Sequence, residues 1–136
     1  MDTWPEGLPV AQVRVARPTD KLDEVVAFYS CLGLPELSRF SGHAGYDGVL
    51  LGLPGTRYHL EFTSHLDGSP CPAPTPENLL VLYFDGATRM SRTVARLRSA
   101  GHEPVELENP YWGEHGALGF ADPDGWRVVL VPEPVS

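Results

Sequence analysis

Apolar positions along this chain repeat with two different periods, and the period changes at clusters of glycine, proline and aspartate. In YHLEFT, residues 58–63, Tyr58, Leu60 and Phe62 alternate with His59, Glu61 and Thr63. A strand there has one apolar face and one His–Glu face. VRVARPTD predicts an earlier strand, with Ala11, Val13 and Val15 turned toward a helix and Gln12 and Arg14 on the opposite side. Leu22, Val25, Val26 and Tyr29 recur at helical spacing, as do Met90, Val94 and Leu97, so each of two helices has a stripe to bury. Thr19 or Asp20 suits the cap of the first helix, and Asp85 or Thr88 that of the second.

The same order of signals occurs twice. VAFYSCLG (26–33) and VARLRSAG (94–101) share Val, Ala and a glycine at matching offsets, the glycine being suited to ending a helix. After the first helix come LPELSRF, YDGVLLGL and YHLEFTSH; after the second come PVELEN, GALGFA and WRVVLVP, with NLLVLYFD as the second module's opening strand. Between them DGSPCPAPTP (67–76) can continue neither a helix nor a central strand. The prediction is an α+β domain spanning 1–136, with one βαβββ module at 8–66, a Pro-rich linker at 67–77 and a second module at 78–133. Each such sheet has a side its own helix does not cover, so the modules are expected to enclose a cleft between curved mixed sheets.

Composition narrows the partners. Eighteen Asp+Glu against ten Lys+Arg give a net charge of −8, which opposes a nucleic-acid or anionic-membrane surface and favours neutral or cationic partners. Cys31 and Cys71 form no CxxC pair, and MDTWPEGLPV lacks a basic segment followed by an apolar one, so the expectation is a cytoplasmic protein with reduced thiols. No GxSxG, HExxH or GxxxxGK[ST] occurs, and GHAGYDG (42–48) is a poor match to a phosphate loop.

Two regions concentrate other chemistry. The His–Glu face of YHLEFT is one; His43, His65, His102 and His115 lie near turns and read as solvated. ENPYWGEHG (108–116) is the other, where Tyr111 and Trp112 either anchor the loop or form a wall for an aromatic or cationic ligand. Trp126 alternates with Val128 and Leu130 and reads as core, whereas Arg127 shares the Val129 face and is placed toward the cleft.

LDEVVAFYSCLGL with its following strands, together with GFADPDGWRVVLVP, resembles the two modules of the vicinal oxygen chelate superfamily, which includes glyoxalase I, bleomycin-resistance proteins and extradiol dioxygenases. The resemblance implies that the first and fourth strands of a module are neighbours, so that Arg14 approaches His59 or Glu61. It also implies metal positions at Gln12, Glu61, Asn78 and Val129. Val129 donates nothing and Asn78 is a weak oxygen donor, whereas a catalytic zinc generally keeps three protein ligands. The prediction is therefore no chelated metal and no cofactor. A small organic molecule, aromatic or cationic, is expected against Gln12, Arg14, His59, Glu61, Asn78, Tyr111, Trp112 and Arg127, in a homodimer with no nucleic-acid or membrane partner. The rival reading is a lyase, isomerase or dioxygenase-type enzyme, with a partner chain completing a metal site or with Glu61 or His59 as general base.

Overall fold

The structure, a computed structural model, describes residues 6–135; residues 1–5, which begin the segment read above as carrying no export signal, and residue 136 lie outside the described residues. The chain divides into two compact units, one built from residues up to Ser30 together with Leu34–Cys71, the other from Cys31–Gly33 and residues from Pro72 onward.

The first unit runs β1 (Val13–Pro18), α1 (Leu22–Cys31), β2 (Glu36–His43), β3 (Tyr46–Gly52) and β4 (Tyr58–His65). Its sheet has the order β1-β4-β3-β2, with β1 parallel to β4 and the other pairs antiparallel. The parallel pair requires a crossover, and α1 lies within it. Val25, Phe28 and Tyr29 of α1 are fully buried; Tyr29 stacks on Phe62 at 5.0 Å, with Val49 and Leu51 buried on the same sheet face. Thr19 accepts a bond from the Lys21 amide (2.9 Å) at the entry to α1, while the Asp20 carboxylate accepts the Ser69 amide instead. Val13 and Val15 share the helix-side face with Phe62, yet are 40% and 54% exposed. They sit on the edge strand of their sheet, and the buried apolar side chains of that face come from β3 and β4.

The second unit runs β5 (Leu79–Tyr83), α2 (Ala87–Ser99), α3 (Tyr111–Glu114), β6 (Leu118–Ala121) and β7 (Arg127–Val131), in a sheet of order β5-β7-β6. Met90, Thr93 and Leu97 make a buried stripe on α2, and Phe120, Val128 and Leu130 are fully buried on one sheet face. Glycines end both main helices as expected, Gly33 and Gly101 adopting φ of 93° and 94°.

Three expectations change. PVELEN is not a strand: its only ladder contact is the bridge Val105–Gly119, because Pro104 and Pro110 bound the segment and Leu107 folds over Gly119. A Cβ at Gly119 would lie 2.5 Å from Leu107. The cap of α2 is Gly86 at φ 102° with no side-chain bond, not Asp85 or Thr88. Trp126 is half-buried rather than core, since it belongs to the turn in which the Asp122 carboxylate accepts the Asp124 and Trp126 amides. Among the described residues no helix is long and apolar enough to cross a membrane.

Candidate functional site

Ladder partners share a face of a sheet, and the β1–β4 register pairs Arg14 with His59 and Ala16 with Glu61. Phe62 faces α1, so His59 and Glu61 face the other way, together with Arg14. On that side Arg14 Nε donates to His59 Nε2 at 2.8 Å, and Arg14 Nη1 lies 3.4 Å from Glu61 Oε2. A nitrogen that accepts carries no proton, so this contact assigns His59 the neutral tautomer with hydrogen on Nδ1. The small side chain of Ala16, opposite Glu61, leaves room for the guanidinium to reach along the strand.

Burial is graded across the cluster: His59 is 8% exposed, the Glu61 side chain 17% and the Arg14 side chain 45%. His59 is packed against Gly52, where a Cβ would come within 2.9 Å of the His59 Cα and Cβ. Phe40 lies over Gly48 on the same face, with Leu50 opposite Glu61. The result is a polar triad on a partly apolar floor. A half-exposed ion pair of this length contributes at most about 1 kcal/mol to stability, so its consequence is orientation rather than folding energy. Gln12 stands one residue before β1 and is exposed. It joins none of these bonds.

The other candidates, Asn78, Tyr111, Trp112 and Arg127, belong to the second unit. The Asn78 side chain accepts a bond from the Thr75 hydroxyl at 2.7 Å, and Arg127 Nη1 donates to the Glu106 carbonyl at 2.9 Å, so both serve local loops. Val129 is fully buried in a cluster with Ala117 and Val131, against which Leu79, Val81, Leu107 and Trp112 pack. The Val129 face is thus filled in this unit, and Trp112 is in part an anchor. Tyr111 is 44% exposed. Its ring meets Trp112 edge-on at 5.1 Å and lies over His115 at 4.1 Å. The His115 Nδ1 donates to the Tyr111 carbonyl at 2.8 Å, and the Asn109 carboxamide oxygen accepts the Tyr111 amide at 3.0 Å. Sequence reasoning passed over Phe40 and Gly52, whose relation to the triad depends on the β2–β3–β4 register. The bulges near Glu36 and Phe40 hide the place of Phe40 from simple alternation, whereas Gly52 is set by the unbroken β3–β4 register.

The metal positions implied by the fold can be tested on these donors. His59 Nε2 and Glu61 Oε2 are both directed at a guanidinium, Asn78 is turned to Thr75, and Val129 has no donor. Among the described residues no three His, Cys, Asp or Glu side chains converge as a metal-holding group. Of the four implied positions Gln12, Glu61, Asn78 and Val129, Glu61 alone offers an anionic donor, and it faces Arg14.

Fold and residue order together define a protein of the vicinal oxygen chelate class. Glyoxalase I of Leishmania major superposes with a TM-score of 0.69 over 91% of this chain and 87% of its own, at 19% identity. An antibiotic binding protein from a Streptomyces species superposes at 0.65 over 94% and 99%, at 22% identity; at this level the likeness is one of fold. Within the class, the chain belongs to the YycE-like family: residues 13–63 match the YycE-like N-terminal domain and 77–132 the YycE-like C-terminal domain. YycE of Bacillus subtilis strain 168, an uncharacterized protein, is 48% identical over 122 residues, covering 89% of this chain and 87% of that one. A crystal structure of a YycE protein of unknown function from B. subtilis, for which a glyoxalase or fosfomycin-resistance role has been suggested, superposes at a TM-score of 0.85 with 45% identity, over 93% and 92% of the two chains.

Proposed function

We propose that this protein binds a small organic molecule over the Arg14–His59–Glu61 face and does so without a chelated metal. The observation that carries the reading is the guanidinium set between His59 Nε2 and Glu61 Oε2, where both groups would otherwise be free to ligate an ion. Arg14 already supplies the positive charge, and its remaining N–H groups stay accessible to an acceptor on the ligand. Phe40 and Leu50 supply apolar surface beside it. Because Arg14 offsets the Glu61 carboxylate, this face does not select for a cation. That a protein of this fold binds an antibiotic in Streptomyces supports a binding use of the scaffold.

A second reading, proton abstraction by an isomerase or lyase, is favoured by one observation: among the described residues nothing takes Glu61 Oε1, which leaves a lone pair for a substrate proton. His59 does not fit that role, because its basic nitrogen already accepts from Arg14.

The test is calorimetric screening of small aromatic metabolites and antibiotics against chelator-treated protein, repeated in Arg14→Ala and Glu61→Gln. The expected outcome is binding that survives the chelator and weakens by about tenfold or more in Arg14→Ala, the loss of a charge-assisted bond. Binding that disappears on chelation and returns with one equivalent of a divalent ion would overturn the proposal. Turnover of a bound compound, lost in Glu61→Gln with affinity retained, would select the enzymatic reading.

A further inference from the structure

The second unit carries a groove of ≈ 650 Å³ whose walls include Tyr83, Tyr111, Trp112, Glu114, His115 and Glu133. We infer that this groove is a site for a small organic cation, an ammonium group borne on apolar carbon. Its chemistry is unlike that of the Arg14 face, and the inference stands independently of the function proposed there.

Three observations carry it. First, Tyr83 and Tyr111 are each 44% exposed and line the same groove. Large aromatic rings are normally spent on burial, and two left open in one concave surface provide faces that attract a cation. Second, two of the rings, Tyr111 and Trp112, are held in place. Trp112 stands at 86° to Tyr111 with centroids 5.1 Å apart, so the two make adjoining walls, and Trp112 is fixed by its packing on the Ala117–Val129–Val131 cluster. His115 lies over Tyr111 at 4.1 Å and is tied to the Tyr111 carbonyl. Preorganised walls spare a ligand the entropy of ordering them. Third, the charge in the groove has one sign. Glu114 and Glu133 contribute carboxylates, no Lys or Arg lines the groove, and neither carboxylate has a cationic partner among the described residues.

The carboxylates select against anions, and the rings favour a weakly hydrated organic cation over a strongly hydrated metal ion. An alkylammonium suits them, because its carbon surface contacts the rings while its diffuse charge meets both the ring faces and the carboxylates. The volume lies in the range of small-ligand sites, whose bounds are roughly 300 to 1,000 Å³.

The test compares choline with 3,3-dimethylbutan-1-ol, which has the same shape and no charge, by calorimetry on the full chain. Choline is expected to bind with saturation, and the neutral isostere about tenfold more weakly or not at all. Glu114→Gln with Glu133→Gln, and separately Tyr111→Leu, are each expected to weaken choline by about three- to tenfold while the melting temperature stays near that of the parent. Arg14→Ala is expected to leave choline binding unchanged, which separates failure of this inference from failure at the Arg14 face. Equal binding of the two probes, no saturable binding of choline, or indifference to the double glutamine variant would each overturn the inference.

Discussion

His59 illustrates how much one neighbour decides. Its 8% exposure and its tautomer both depend on ladder neighbours that sequence alternation alone does not align: Gly52 on β3 to one side and Arg14 on β1 to the other. Gly52→Ala is therefore predicted to destabilise the protein by about 1 to 3 kcal/mol, because the added Cβ would meet the backbone of β4, which cannot step aside as a flexible side chain can. Thermal or denaturant unfolding measures the loss. The same variant should move the His59 ring signals in a nuclear magnetic resonance spectrum while leaving those of His115, in the other unit, in place. A fully stable Gly52→Ala with an unshifted His59 would mean that the close packing of β3 on β4 is not what holds this ring.

At the scale of elements, the segment between α2 and α3 shows where a pattern is overruled. PVELEN alternates like a strand, but prolines bound it, and the Leu107 side chain finds better burial over Gly119 than a ladder position offers. Only the Val105 amide is bonded to β6, through the Gly119 carbonyl at 2.8 Å. Hydrogen exchange should consequently show protection at Val105, and fast exchange at Glu106, Leu107 and Glu108. Uniform protection across all four amides would restore the strand reading. Where two ladders or a helix stripe constrain a segment, the sequence was legible: YHLEFT is paired on both sides, and its alternation predicts which side chains face α1. The meeting of Arg14 with His59 and Glu61 was legible too, once the first strand is laid parallel to the fourth. What could not be read was the groove that brings Tyr83 and Glu133 beside Tyr111. Tyr83 and Glu133 join Tyr111 only through the β5–β7 pairing and the chain beyond it, and no local motif links them.

For the molecule as a whole, the two candidate sites differ in how they should respond to salt, since the net charge of −8 acts on any charged ligand at long range but on neutral ones hardly at all. Raising the ionic strength from about 0.01 M to about 1 M shortens the screening length from about 30 to about 3 Å. Over that range an organic cation loses the attraction of the distant carboxylates first and then part of that of Glu114 and Glu133, while its contacts with the rings persist. Choline affinity is therefore predicted to fall several-fold with added salt and then level off, with most of the change in the association rate. A neutral ligand at the Arg14 face should show no comparable decline, because its contacts are a few short hydrogen bonds and apolar surface. Stopped-flow or calorimetric titration across that salt series distinguishes the two behaviours in one protein. A choline affinity that is flat throughout would mean that the carboxylates contribute nothing to the groove, and a steep fall for a neutral ligand would mean that the pairing of Arg14 with Glu61, rather than the ligand, is what salt disturbs.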